Sequence, residues 1–265
     1  MILHVEDLRD RYPVITGHRG FQQRYPENTL VSFAGAVEAG ADVIEMDVHL
    51  TRDGVPVVIH DDTVDRTTNG CGRVGEMLLA EIRELDAGCW FSPQFAGERV
   101  PTLQEVLERF GGRVVLNIEI KTGKETNPAA PGEVEREVIR VVAERGITGS
   151  VLISSFDADI LARTGRMTGA PALALISKVA FDAGILENCR RLGVFSFHPR
   201  FDVTTGALVR AVHGAGIQVY AFGADSAERI GRLAALGADG VIAKDPRRAR
   251  RRWPKVARGR PRGRP

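Results

Sequence analysis

The sequence predicts an α/β protein, a (β/α)8 (TIM) barrel with a small insertion after its second strand. Two observations predict it. Short apolar runs begin near residues 14, 43, 114, 150, 172, 194, 217 and 240, and amphipathic segments alternate with them. That alternation is the signature of a parallel sheet wrapped by helices. The chain has 265 residues, 43% of them hydrophobic, which suits eight βα units in a single domain with one large core. The units resemble one another in pattern only; no internal sequence repeat is present.

Taken in order, the first strand is Val14-Ile15-Thr16, running into Gly17 and His18. A helix is expected over 29–39, with Leu30, Phe33, Ala34 and Val37 on one face, Asn28 or Thr29 at its cap and Gly40 at its end. The second strand spans 42–50. Val43, Glu45 and Asp47 point one way, and Ile44, Met46 and Val48 the other. The aliphatic set suits packing under helices, so the acidic set faces the barrel interior. Thr51-Arg52-Asp53-Gly54 is a turn, and 55–60 follows at once as a strand. No helix fits between them, so the pair is expected to be an antiparallel hairpin that returns His60 beside Met46 and Asp47. Residues 61–100 are rich in turn signals, with a short helix near 78–85, and read as an inserted subdomain. Trp90 and Phe91 there suit either a pocket wall or an insertion core. Thr102 and Glu105 have capping-box spacing before a helix to Phe110. The next strand, 113–121, puts Val115, Asn117, Glu119 and Lys121 on one face. Helices over 133–145, 157–168, 182–191, 205–214 and 226–236 then alternate with strands over 150–154, 172–176, 194–198, 217–222 and 240–243.

The net charge of +2 conceals an asymmetry. Residues 247–265 hold ten Lys/Arg and no acid, leaving 26 basic against 34 acidic residues, about −8, on the body. Residues 1–246 are therefore assigned to the catalytic barrel and 247–265 to a basic tail, poor in apolar residues and expected to be disordered. Such a tail offers weak contact to anionic surfaces, while a specific nucleic-acid partner is not expected. Three cysteines without metal-type spacing argue against a disulfide framework. The first residues lack a basic segment followed by an apolar one, and no run approaches the roughly 20 apolar residues of a membrane span. A cytoplasmic protein is expected; the oligomeric state is left open.

In such barrels the chemistry lies at the C-terminal strand ends. His18 and Arg19 end the first strand, Glu45 and Asp47 the second, Glu119 and Lys121 the third, and His198 the sixth. Three carboxylates on one rim suit a hard cation, Mg2+ or Ca2+; pairing with Arg19 and Lys121 is the alternative. His18 and His60 suit a general base and general acid, unless one of them only orients a carboxylate. Arg19 and Lys121 offer positive charge to a phosphate. Glu27 either bridges to Arg19 or decorates a helix N-terminus. His198, before Pro199, is expected to face the site mouth and touch substrate, whereas His4, His49 and His213 read as ordinary packing or surface residues. A metal, two cations and two acid–base groups point to phosphoryl chemistry; neither a nucleophile-elbow serine nor a Walker loop is present.

These residues carry a resemblance. His18-Arg19-Gly20, Pro26-Glu27-Asn28-Thr29, Glu45-Met46-Asp47, Thr51-Arg52-Asp53-Gly54, Val57-Val58-Ile59-His60-Asp61, Arg66-Thr67-Thr68, Pro101-Thr102-Leu103, Glu119-Ile120-Lys121 and Ser154-Ser155-Phe156 resemble, in order, the motifs of the glycerophosphodiester phosphodiesterase family. The resemblance implies metal-dependent hydrolysis of glycerophosphodiesters to sn-glycerol 3-phosphate and an alcohol. Glu45, Asp47 and Glu119 would be metal ligands, His18 and His60 the general base and acid, and Arg19 and Lys121 the phosphate-binding cations. Attack would come either from the glycerol 2-hydroxyl, through a cyclic phosphate, or directly from water. The chain departs from the pattern where the family tends to show Trp-Thr-Val-Asn and it has Tyr220-Ala221-Phe222-Gly223, and where Thr-Asp is replaced by Ala243-Lys244. A changed pocket wall would admit another alcohol group or an acylated substrate, so a lysophospholipase-D-like enzyme is one alternative. A non-catalytic anion- or nucleic-acid-binding protein using the tail is the other.

Overall fold

A computed structural model describes residues 2–121 and 131–253. Among the described residues, nine strands and nine α-helices follow one another as β1 (Val14–Gly17), α1 (Leu30–Glu38), β2 (Val43–Leu50), β3 (Pro56–Val58), α2 (Leu79–Arg83), α3 (Leu103–Phe110), β4 (Val115–Ile120), α4 (Glu133–Glu144), β5 (Val151–Ser155), α5 (Ala158–Gly165), β6 (Ala172–Ser177), α6 (Ala183–Leu192), β7 (Ser196–Pro199), α7 (Gly206–His213), β8 (Gln218–Phe222), α8 (Ala227–Leu236), β9 (Gly240–Ala243) and α9 (Pro246–Arg252). Eight of the strands are parallel and close on themselves, with β1 bonded to both β2 and β9. This is the expected (β/α)8 barrel. Among the described residues no helix is long and apolar enough to cross a membrane.

The period-2 pattern sorts the strand residues as the sequence suggests. Ile44, Met46 and Val48 pack with Phe33, Leu103 and Val106 of the helical layer. Val14, Val43, Val115, Leu152 and Ala174 meet inside the barrel, where Val5 and Leu8 of a 3-10 turn (Val5–Asp10) join them. This apolar floor lies at the starts of the strands, so the charged residues of β2 and β4 are left to the other end.

The hairpin forms as expected. β3 is antiparallel to β2, with Val48 opposite Val58 and Leu50 opposite Pro56. It occupies the edge of β2 beyond the Val43–Ile44 stretch that pairs with β1, so one long strand serves two neighbours. Val57 of β3 and the residues after it build a small core of their own with Ile59, Val64, Val74, Ile82, Ala87 and Val100. Trp90 and Phe91 are not in it. They begin an edge-to-face series, Trp90–Phe91–Phe95–Tyr25–Phe21, with ring centroids 5.7 to 5.8 Å apart, which seams the insertion to the β1–α1 loop.

The expected start of the tail needs correction. Residues 247–252 lie in α9, capped by Asp245, whose carboxylate accepts from the Arg248 amide at 2.7 Å, with Pro246 in the first turn. Ala249 and Trp253 are buried, four residues apart on one face, and Trp253 meets Tyr12 edge-on at 5.9 Å. Arg250 donates to Asp42, Gly40 and Pro13. Charge counting missed a helix whose buried apolar contribution is Pro246, Ala249 and the capping Trp253. The rest of the expected tail, 254–265, lies outside the described residues.

Removing the indole at this anchor should cost about 3 kcal/mol, the usual order for truncating a large buried aromatic. Trp253→Ala is therefore expected to lower the denaturant midpoint without changing its slope. A loss under about 1 kcal/mol would show that α9 does not hold the barrel closed.

Candidate active site

The turn after β1 sets the first two functional side chains. A Cβ on Gly17 would stand 2.6 Å from the Gly20 carbonyl oxygen and 3.0 Å from the Ala36 Cβ, so only glycine allows the turn. Arg19 follows in the left-handed region (φ 51°), a conformation that costs free energy for a residue with a Cβ. Its backbone is held from both ends. The Arg19 amide donates to Glu45 Oε2 at 2.8 Å, and its carbonyl accepts from the Asn28 amide (3.1 Å) and the Ser32 hydroxyl (3.0 Å).

β2 and β4 supply the carboxylates. Their register places Asp47 beside Glu119 and Glu45 beside Asn117. Glu45, Asp47 and Glu119 are buried, and one oxygen from each lies within 4.8 Å of the others. Lys121 Nζ is 2.6 Å from both Asp47 Oδ1 and Glu119 Oε1, and Arg19 Nε is 3.3 Å from Asp47 Oδ2. Asn28, itself at positive φ (57°), donates its amide to Asp47 Oδ2 at 2.9 Å. Thr29 does the helix capping, accepting from the Ser32 amide.

Two cations do not neutralise three carboxylates equally. Burial acts to raise the Asp47 pKa, but Lys121 and Arg19 beside it outweigh burial and hold it below the usual carboxylate range. Burial, with Asp47 and Glu119 as like charges, pushes Glu45 well above its ordinary value. Burial and Asp47 raise Glu119 despite Lys121. Glu45 Oε1 is buried with no hydrogen-bond partner among the described residues. A hard cation would satisfy that oxygen and relieve the repulsion, so this donor set fits Mg2+ or Ca2+.

The histidines flank the cluster. His18 Nε2 is 3.9 Å from Glu45 Oε2 and its side chain is one-quarter exposed. Burial, then Arg19, pushes its pKa down to about 3, so the ring is neutral near pH 7. The Gln22 amide nitrogen rests on His18 Nδ1 and donates to the His18 carbonyl. His60 follows β3, where the Ile59 amide donates to the Asp47 carbonyl at 3.0 Å. His60 Nδ1 lies 2.5 Å from Asp61 Oδ1, and burial lowers its pKa although Asp47 raises it. Glu27 takes the bridging role: Arg19 Nη1 donates to its Oε1 at 2.8 Å.

His18, Arg19, Glu45, Asp47, His60, Glu119 and Lys121 thus converge, as the sequence suggests. His198 does not reach the mouth. It is 1% exposed, 2.9 Å from the Ser196 hydroxyl at Nε2 and tilted against Tyr220 at 5.7 Å. Burial pushes its pKa down to about 3. Its strand alternation points it into the barrel below the rim, so substrate contact is not assigned to it. Tyr220 and Ala221 are likewise buried; Phe222 and Gly223 of that stretch are half-buried, with Phe222 edge-on to Phe156 at 6.2 Å. Asn28, His49 and Asp61 are contributors that sequence reasoning passed over. His49 shares the inward face of Glu45 and Asp47, a signal that was available, and its Nε2 donates to the His60 carbonyl at 3.0 Å.

The barrel with a carboxylate cluster, two histidines and two cations at its C-terminal rim defines the class: a phosphoryl-transfer enzyme on a (β/α)8 scaffold. Residues 18–248 match the model of the glycerophosphoryl diester phosphodiesterase family. The glycerophosphodiester phosphodiesterase of Caldanaerobacter subterraneus subsp. tengcongensis is 40% identical over 237 residues, covering 88% of this chain and 94% of that protein. One from Bacillus subtilis is 31% identical, covering 86% and 82%. A solved phosphodiesterase from Oleispira antarctica, in complex with the product sn-glycerol-3-phosphate, superposes with TM-score 0.83 at 28% identity, covering 92% of this chain and 98% of that one. The chain belongs to the glycerophosphoryl diester phosphodiesterase family, and it is a phosphoric diester hydrolase.

The raised Glu45 pKa sets a pH dependence. A carboxyl that holds its proton more tightly folded than unfolded loses stability for the fold as pH rises above the ordinary glutamate range. In EDTA, Glu45→Gln should therefore gain stability relative to the parent as pH rises above about 5, read from urea midpoints. Divalent cation should remove or reverse that advantage. A difference independent of pH and cation would show that Glu45 carries no such strain.

Proposed function

We propose that this site hydrolyses small glycerophosphodiesters to sn-glycerol 3-phosphate and an alcohol, with a divalent cation, Mg2+ or Ca2+, held by Glu45, Asp47 and Glu119. The carrying observation is the buried three-carboxylate cluster, with its unpartnered Glu45 oxygen, set between His18 and His60. The product complex of the Oleispira antarctica relative supports the substrate class.

The residues divide the work by charge and exposure. When bound, a divalent cation would polarise a phosphoryl oxygen and acidify the attacking oxygen, the glycerol 2-hydroxyl or water. Arg19 and Lys121, kept charged by Asp47 and its neighbours although burial opposes it, face the charge that develops on the phosphoryl oxygens. Neutral His18 takes the proton of the attacking oxygen; where the glycerol 2-hydroxyl attacks, water then opens the cyclic phosphate to sn-glycerol 3-phosphate. His60, one-third exposed and held through Nδ1 by Asp61, delivers a proton to the departing alcohol. Asn28 and Glu27 hold Asp47 and Arg19 in place. The free cysteines Cys71, Cys89 and Cys189 suit a cytoplasmic setting. Contact of the α9 arginines with anionic surfaces would stand apart from the reaction.

The test is release of glycerol 3-phosphate from glycerophosphocholine, glycerophosphoethanolamine and glycerophosphoglycerol. EDTA should abolish it and either Mg2+ or Ca2+ restore it. His18→Ala and His60→Ala should each lower kcat by about 100-fold or more with the fold intact by circular dichroism. Full turnover in EDTA would sink the metal assignment, and full turnover in either variant the proton-transfer assignment. Release from a lysophospholipid alone would move the substrate to the acylated class.

A further inference from the structure

Arg66 lies in the insertion, outside the residues assigned to binding or proton transfer, yet one guanidinium reaches both halves of the site. Its Nε donates to Asp61 Oδ2 at 2.6 Å and its Nη2 to Asp61 Oδ1 at 3.0 Å, a two-pronged grip. The same Nη2 donates to Glu27 Oε1 at 2.7 Å. Asp61 Oδ1 is also the oxygen on His60 Nδ1, and Glu27 Oε1 is also the oxygen on Arg19 Nη1. An unbroken series of side chains, His60–Asp61–Arg66–Glu27–Arg19, therefore joins the proton donor to the phosphate-binding cation.

Surface ion pairs of a residue as exposed as Arg66 (44%) are by themselves worth little. Three features separate this one from a decorative pair. The planar fork matches a carboxylate bidentately, which a lysine ammonium cannot do while also reaching a second acid. Both acids are shared with groups of the site. The arginine also springs from a fixed base: its neighbours Val64, Thr67 and Thr68 are buried, and the Thr68 hydroxyl closes on the Val64 carbonyl at 2.7 Å. The hydrogen bonds from Arg66 hold the Asp61 carboxyl well below the usual range, so Asp61 is ionised and His60 Nδ1 carries the proton that it accepts.

We propose that Arg66 is a positioning residue that couples His60, through Asp61, to Arg19, through Glu27, so that proton donation and phosphate binding are set by one guanidinium. The inference rests on the reading of His60 and Arg19 given under Proposed function. It assigns the insertion a task, the delivery of this arginine.

The experiment is a double-mutant cycle. Asp61→Asn, Glu27→Gln and their combination are measured with Arg66 present and in the Arg66→Ala background, reading kcat, KM and the Kd of sn-glycerol 3-phosphate by calorimetry. With Arg66 the two changes should be non-additive; with Arg66→Ala they should be additive. Arg66→Ala alone should lower kcat and weaken product binding by about tenfold each, and Arg66→Lys should restore only part of either. Additivity in both backgrounds, or an Arg66→Ala variant that loses stability while keeping kcat and product affinity, would overturn the proposal. Imidazole nitrogen NMR gives a readout that does not depend on turnover. In the parent the His60 Nδ1 proton should stay hydrogen-bonded to Asp61 both in the cationic ring, which donates from Nε2, and in the neutral ring that remains after donation; in Arg66→Ala the neutral ring should give way to a tautomer mixture, and an unchanged His60 signal would also overturn it. Absence of turnover in the parent would defeat the functional reading, and the NMR comparison would still decide this one.

Discussion

Three carboxylates taken out of water on one rim, balanced among the described residues by Arg19 and Lys121, are the constraint on which the site depends. Burial of an ion is costly unless partners surround it. The surrounding structure answers that cost at each position. Arg19 adopts a strained backbone and is held there by Glu45, Asn28 and Ser32. Asn28, also at positive φ, turns its amide to Asp47. Lys121 divides itself between Asp47 and Glu119. What is left over, a raised Glu45 with one unpartnered oxygen, is the part that a cation completes.

The scaffold separates this polar rim from an apolar floor. Val14, Val43 and Val115 begin their strands in contact with Val5 and Leu8, and two to four residues further along the same inward faces the carboxylates appear. The helical layer needs only the other strand face. Period-2 alternation thus lets one strand serve both the core and the chemistry. Because the barrel tolerates many chemistries at its rim, the activity is argued from the side chains there and from relatives that share them, not from the fold.

Position distinguishes His18 and His60 from His198. His18 and His60 sit at element ends where the chain leaves the barrel, so each is partly open to solvent and can exchange protons. His198 sits within a strand, closed in by Ser196 and Tyr220, and is kept neutral by burial. The insertion, seamed to the β1–α1 loop by aromatic edges, brings Asp61 and Arg66 to the same rim.

The sequence by itself determined what short-range rules govern. The alternation of β2 placed Glu45 and Asp47 inward, the four-residue turn at Asp53-Gly54 forced an antiparallel return for His60, and capping chemistry located α3. Motif order pointed to the family before any geometry was available. The tertiary structure decided whatever depends on closure of the barrel. Arg250 finds Asp42 across 208 residues, which makes a helix of a segment that charge alone marked as a tail. Arg66 meets Glu27 across 39 residues, and the barrel's closed wall encloses His198. Alternation and turns are set by neighbours one to four residues away and can be read from the chain. A contact between distant residues exists only once the sheet has closed, so its partners cannot be read from either segment alone.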